Sequence, residues 1–91
     1  MQHNEFRFVN DGIQYRYKFN NGIEVSVIMS PTSYGGPEGL WEIGIFEYGM
    51  MSYGNDITGD DAVLGYLTWE KVQNILKKIE KRGLQLYKSV V

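Results

Sequence analysis

The sequence predicts an α+β fold: an antiparallel β-meander of about four to six strands, covered on one face by a single C-terminal amphipathic helix at about residues 69–82. In the first half, apolar and polar side chains alternate with the two-residue period of strands. After Thr68, the apolar residues recur at helical spacing instead. With 91 residues and 43% hydrophobic side chains, the chain suits one core and is too short for two, so residues 1–91 are predicted to form a single domain.

The first three strands follow from this alternation and from turn residues. Phe6 and Phe8 alternate with charged residues until a turn at residues 10–12, Asn-Asp-Gly. The run 20–22, Asn-Asn-Gly, then predicts a hairpin reversal, because Asn and Gly tolerate the positive φ of a tight turn. Each of the two strands that it joins has one apolar face, formed by Ile13, Tyr15, Tyr17 and Phe19 on the first and by Ile23, Val25, Val27 and Met29 on the second.

A loop is predicted at residues 30–39, because Pro31 and Pro37 cannot donate to a β-ladder and three glycines favour irregular backbone. A strand at residues 40–48 follows. It has apolar side chains on both faces, which is typical of a central strand or of one that uses a face for association. A short edge strand is predicted at residues 53–58.

The helix has signals at both ends. Thr68 is a predicted N-cap, Glu70 lies in the first turn where the helix dipole favours an anion, and Gly83 is placed to end the helix. Beyond it, renewed alternation predicts a last strand at residues 84–90. The predicted apolar stripe consists of Trp69, Val72, Ile75, Leu76 and Ile79. The last turns carry the cations Lys77, Lys78, Lys81 and Arg82.

Composition limits the class of protein. There are no cysteines, which excludes disulfide frameworks and thiolate zinc sites. The first residues lack a basic segment followed by an apolar run, so no signal peptide is expected, and no apolar stretch approaches the roughly 20 residues that span a bilayer. A cytoplasmic protein without membrane contact is therefore expected.

Charge is unevenly distributed along the chain. Residues 19–70 hold eight acidic side chains and no Lys or Arg, whereas residues 71–91 hold six basic and one acidic. This separation predicts a homodimer or higher oligomer that pairs the acidic region with the basic one. The basic helix end is expected from dipole complementarity alone, and a pI of about 5.3 argues against nucleic acid as a partner.

Few residues are arranged for chemistry. Asp56, Asp60 and Asp61 are weak candidates for a hard cation such as Mg²⁺ or Ca²⁺, but their spacing misses the calcium-loop pattern. The favoured interpretation is an acidic turn in which Asp side chains cap backbone amides. His3 is the only histidine, and it has no nucleophile or orienting acid near it in sequence. The prediction is a protein that is not an enzyme and that needs no cofactor.

Binding is expected to involve the aromatic side chains in and around the 30–39 loop, since exposed aromatics on loops are frequent contact anchors. A phosphate-cradling loop is disfavoured there, because a strand follows it and no basic residue is near. The candidate partner- or ligand-binding residues are Tyr34, Gly35, Gly36, Glu38, Trp41, Tyr48 and Tyr53.

Two segments carry a resemblance to known proteins. They are residues 34–42, YGGPEGLWE, and residues 57–72, ITGDDAVLGYLTWEKV, which contain a D-x-V-x-G-x-L pattern ahead of the helix. Over roughly residues 20–80 the chain resembles a group of small bacteriophage-encoded proteins that has no assigned activity. The resemblance implies an accessory phage protein made in a bacterial cytoplasm, and it identifies no functional residues.

Three functions remain open at this point. The first is a non-enzymatic module that binds a host protein, which includes inhibition of a component of antiviral defence. The second is a small-ligand or nucleotide-binding module in which an aromatic ring stacks on a base. The third is a minor virion or assembly component.

Overall fold

The computed structural model describes residues 3–84, and over this range the chain forms a six-stranded antiparallel sheet with one helix on one of its faces. The strands are β1 (His3–Val9), β2 (Gly12–Lys18), β3 (Ile23–Met29), β4 (Trp41–Glu47), β5 (Met50–Met51) and β6 (Val63–Leu67), and the helix is α1 (Trp69–Arg82). The predicted α+β meander with a single C-terminal helix is confirmed.

The sheet is a meander with a divided edge. Strands β1 to β4 are neighbours in chain order, and β5 and β6 both pair with β4 on the side away from β3. Strand β1 therefore forms one edge of the sheet, and β6 forms the other at the end where β4 begins. The predicted 30–39 loop connects β3 to β4 and contains a single 3₁₀ turn, Gly36–Glu38.

The core lies between α1 and the central strands. Tyr15 is opposite Val27 and Tyr17 is opposite Val25, so the apolar faces of the predicted hairpin coincide. Val72, Leu76 and Ile79 of the helical stripe are buried against this face, and the stripe closes the core as its spacing predicts. The buried hydrophobic residues are Tyr17, Phe19, Ile23, Val25, Val27, Ile43, Ile45, Leu67, Val72, Leu76 and Ile79.

Both predicted helix ends are present. The Thr68 hydroxyl accepts a hydrogen bond from the Lys71 N–H (3.2 Å), and the Gly83 N–H donates to the Ile79 carbonyl (2.8 Å). The Asn21 side chain also donates to the Ile79 carbonyl (3.2 Å). The hairpin turn therefore holds the helix end against the sheet.

The predicted edge strand at residues 53–58 is wrong. That segment is a tight turn closed by a single bridge between Asn55 and Gly59. The fully buried Asn55 side chain accepts hydrogen bonds from the Ile57 N–H (2.9 Å) and the Thr58 N–H (2.7 Å). Hydrogen bonds from the backbone to a side chain compete with the backbone hydrogen bonds of a β-strand. In this turn the side chain that accepts them from Ile57 and Thr58 is that of Asn55, whereas the sequence predicted aspartates in this role.

The edge strand of the sheet is β6 instead, which sequence alternation did not predict. The predicted last strand at residues 84–90 lies outside the described residues, apart from Leu84, which is not in a strand. No helix within residues 3–84 has the length and apolar character needed to cross a membrane.

Candidate functional site

The loop that follows β3 is held by buried serines. The Ser30 N–H donates to the Ser33 hydroxyl (2.9 Å), and the Ser33 N–H donates to the Ser30 hydroxyl (3.1 Å). Gly36 packs so closely here that a Cβ would lie 1.9 Å from the Ser30 carbonyl oxygen. These contacts give residues 30–36 a defined shape, and they place Tyr34 beside the edge strand β6.

Two glycines lock the loop onto β6. A Cβ on Gly65 would lie 2.3 Å from the Tyr34 Cβ, and a Cβ on Gly35 would lie 2.9 Å from the Tyr66 Cα. The Tyr66 N–H donates to the Tyr34 carbonyl (3.1 Å), and the Tyr34 N–H donates to a Glu42 carboxylate oxygen (2.8 Å). We call this pair of close approaches the glycine interlock (Gly35 and Gly65).

Tyr66 has a backbone conformation that is unusual for a side-chain-bearing residue. Its φ is 58°, in the left-handed region, and the pairing of β6 with β4 shifts register between Trp41 and Ile43. A non-glycine residue in this region costs on the order of 1 kcal/mol. The bulge leaves Tyr66 61% exposed while its neighbour Leu67 returns to the core.

The two tyrosines border an open cleft of about 530 Å³, which we call the tyrosine cleft. Its lining consists of Tyr34, Asp61, Ala62, Val63, Leu64, Gly65 and Tyr66. Tyr34 is 60% exposed, so both phenol rings lie at the surface. Asp61 is the one charged residue of the lining. The cleft therefore offers two flat apolar rings, two hydroxyls and one carboxylate.

A second aromatic surface lies on the helix-covered face and runs from β1 to the first residue of α1. We call it the aromatic row: Phe8, Phe6, Tyr15, Trp41 and Trp69. Successive ring centroids along it are 5.1 to 5.8 Å apart. Phe8 is 82% exposed and Phe6 49%, so the end of the row at β1 is open to solvent.

The seven candidate binding residues do not form one site. Tyr34 borders the tyrosine cleft, Gly35 and Gly36 shape its loop, and Glu38 is exposed in the 3₁₀ turn. Trp41 belongs to the aromatic row on the helix-covered face.

The remaining two candidates are elsewhere. Tyr48 packs its ring against Gly22 at the opposite end of the sheet, and Tyr53 lies in the segment after β5. Sequence reasoning missed Tyr66 and Gly65. The available signal was weak, since it consisted of an apolar segment at residues 62–67, between the acidic turn and the helix cap, that Gly65 interrupts.

The acidic turn holds no metal-ion cluster. Within residues 3–84, no three His, Asp or Glu side chains are grouped as ion ligands. Asp56 forms an ion pair with Arg82 of α1, while Asp60 and Asp61 are exposed. One cation of the basic helix end is thus already paired with the acidic region inside the same chain.

Among residues 3–84, one tyrosine has a perturbed acidity, and it lies in the core. Burial raises the pKa of Tyr17 above its ordinary value of 10.0, and the charge of Tyr15 adds to this rise. A side-chain hydrogen bond with Gln73 acts in the opposite direction. The shift follows from packing under α1.

The chain matches no protein-family model, no curated protein and no solved structure. The resemblance to small bacteriophage proteins stays a prediction.

Proposed function

We propose that this chain is a non-enzymatic protein-binding module of a bacteriophage that acts on a host protein through the tyrosine cleft. One observation carries the proposal: Tyr34 and Tyr66 are held at the surface by the glycine interlock, although Tyr66 adopts an unfavourable φ. Non-glycine residues in strained conformations persist where the surrounding structure enforces them, and they cluster at functional sites.

Two fixed tyrosines are well suited to a protein contact. Tyrosine is enriched among residues that dominate binding energy, because its large ring buries apolar area while its hydroxyl still forms a hydrogen bond. The hydrogen bonds from Tyr66 to Tyr34 and from Tyr34 to Glu42 hold the backbone that carries both rings. A prearranged contact surface loses less conformational entropy on binding.

The charge around the cleft indicates the chemistry of the partner. Asp61 lines the cleft, and it belongs to the 19–70 stretch with eight carboxylates and no Lys or Arg. A complementary partner surface carries Lys or Arg beside an apolar patch, and its association slows as salt screens the charges. The phage resemblance makes a component of host antiviral defence one class of target.

Affinity capture from a bacterial lysate tests this proposal. Wild type and Tyr53→Ala should retain the same protein, because Tyr53 is also 60% exposed but lies outside the cleft. Tyr34→Ala and Tyr66→Ala should each weaken its binding about ten- to hundredfold, as expected for contact anchors. A captured protein that binds all four chains equally well would exclude the cleft as the contact surface.

A small-ligand module is the second candidate, because about 530 Å³ lies within the range of small-molecule sites and two rings border the space. A thermal-shift screen with a panel of nucleotides and other small compounds tests it. The expected result is a raised midpoint in wild type and Tyr53→Ala that is absent in Tyr34→Ala. A midpoint that no compound moves counts against this function.

A further inference from the structure

Strand β1 forms an edge of the sheet whose outer side has no partner strand among the described residues. Within residues 3–84 it pairs only with β2, and its seven residues include no proline, lysine or glycine to discourage further pairing. The opposite edge differs, because β6 is short, bulged and bonded to the loop at Tyr34. An exposed edge of this length is a template for another strand.

The open edge also carries the exposed end of the aromatic row. Phe6 and Phe8 share the face that α1 covers elsewhere, and together they expose roughly 250 Å² of ring-bearing surface, given typical phenylalanine areas. Phe6 contacts Tyr15, with the ring centroids 5.2 Å apart. An added strand with aromatic residues on the same face would continue the row.

The charges on the other face of β1 select the partner. Glu5 and Arg7 point away from the helix and form an ion pair of 3.5 Å along the strand, with both side chains more than 40% exposed. In an antiparallel pair of two β1 strands related by a two-fold axis at Phe6, Glu5 of each copy is opposite Arg7 of the other. Each of these cross-strand pairs is attractive.

The neighbouring registers are electrostatically unfavourable. A shift of two residues one way places Arg7 opposite its own copy, and a shift the other way places Glu5 opposite its own copy. Like charges directly opposite destabilise a β-pair. A shift of one residue is excluded, because it would place the apolar face of one copy beside the charged face of the other.

We propose that two copies of this chain pair antiparallel through β1, with the two-fold axis at Phe6. The two sheets then form one continuous sheet with both helices on the same face. The two aromatic rows meet at Phe6, and Glu5 and Arg7 of both copies form a four-charge cluster. The contact lies at the edge opposite the tyrosine cleft, so it goes beyond the proposed function and stands or falls separately.

Sedimentation equilibrium over a dilution series tests the pairing and its charges. Wild type should reach about 21 kDa, twice its 10.5 kDa. Glu5→Arg and Arg7→Glu should each weaken the dimer about tenfold or more, since each turns two attractive pairs repulsive. An equimolar mixture of these two variants should pair again, because every facing charge is then opposite.

Glu80→Arg is the matched control, since it makes the same change of net charge on an exposed helix position and should leave the dimer unchanged. A wild-type chain that stays monomeric at every concentration overturns the proposal. So does an equal loss of dimer in Glu80→Arg and Glu5→Arg.

A cysteine scan tests the register independently of charge. The chain has no cysteine, so any disulfide comes from the introduced thiol. Phe6→Cys should cross-link into a covalent dimer under mild oxidation, because the residue on the axis faces its own copy within disulfide reach. Phe8→Cys should not, because it faces position 4 of the partner. Equal cross-linking of both variants, or of neither, contradicts the Phe6-centred register.

Discussion

The glycine interlock makes a quantitative prediction at Gly65. In Gly65→Ala the new methyl group would lie 2.3 Å from the Tyr34 Cβ and 2.9 Å from the Tyr34 carbonyl oxygen. Relaxed carbon contacts are about 3.5–4.0 Å, so the loop or β6 must move. Overpacking costs about 1–3 kcal/mol, and the loss of glycine freedom in the unfolded chain returns about 0.4–1 kcal/mol. We expect a net loss of about 1–2 kcal/mol.

Thermal unfolding measures this loss against a matched control. For a domain of this size, about 1–2 kcal/mol lowers Tm by roughly 4–16 °C. Gly44 lies in the adjacent strand β4, where a methyl group would meet its nearest atom, Val63 Cγ1, at an ordinary 3.7 Å. Gly44→Ala should therefore leave stability unchanged or raise it by up to about 1 kcal/mol, because it reduces the freedom of the unfolded chain without overpacking the folded one. Equal Tm shifts in the two variants would refute the interlock.

Three further predictions concern the turn, the helix cap and the core. Asn55→Ala should lower the free energy of unfolding, measured in urea, by about 2–4 kcal/mol. The substitution leaves the Ile57 and Thr58 N–H groups and the Thr58 hydroxyl without the hydrogen bonds that the buried amide forms with them. Thr68→Ala should cost about 1 kcal/mol by losing the cap on the Lys71 N–H, whereas Thr68→Ser should cost almost nothing. Because folding raises the pKa of Tyr17, the protonated phenol stabilises the folded state, and this stabilisation is complete below pH 10.0. It is lost as the pH rises from 10.0 through the higher pKa of the folded state. The tyrosinate absorbance of wild type minus that of Tyr17→Phe should therefore have its midpoint above 10.0.

The parts of the fold that the sequence predicts are those held by local signals. The β2–β3 hairpin follows from alternation on both sides of an Asn-Asn-Gly turn, and α1 follows from its stripe between Thr68 and Gly83. Each signal lies within a few residues of the structure that it specifies. Such local signals can be recognised in the sequence alone, and the structure confirms both the hairpin and the helix.

Residues 53–67 were harder to predict because the deciding contacts are not visible in the pattern. Asn55 is buried and folds the chain around its amide, so a segment with β-forming residues becomes a turn. Strand β6 contains Gly65 and the left-handed Tyr66, and both weaken its resemblance to a strand. Pairing with β4 overrides this local preference.

The tyrosine cleft could be predicted only in part for the same reason. The loop pattern indicated Tyr34, but nothing near it in the sequence shows that Gly65 and Tyr66 pack against it from some thirty residues further along. The loop glycines were predicted to favour irregular backbone, and no role was predicted for Gly65. Gly35 does have a positive φ, whereas Gly65 is required by the close approach of Tyr34.

The two proposals together predict how the protein binds a surface that carries many copies of its partner. In a β1-paired dimer, nine strand spacings separate the two β6 edges, so the two clefts lie roughly 43 Å apart. A surface that displays many copies of the partner would engage both clefts, and the second contact forms at a high effective concentration. Glu5→Arg should then bind a single soluble partner as tightly as wild type but dissociate faster from a densely coated sensor. If wild type and Glu5→Arg dissociate from that sensor at the same rate, the two clefts do not act together. If Glu5→Arg also loses affinity for the soluble partner, position 5 belongs to the surface that contacts the partner.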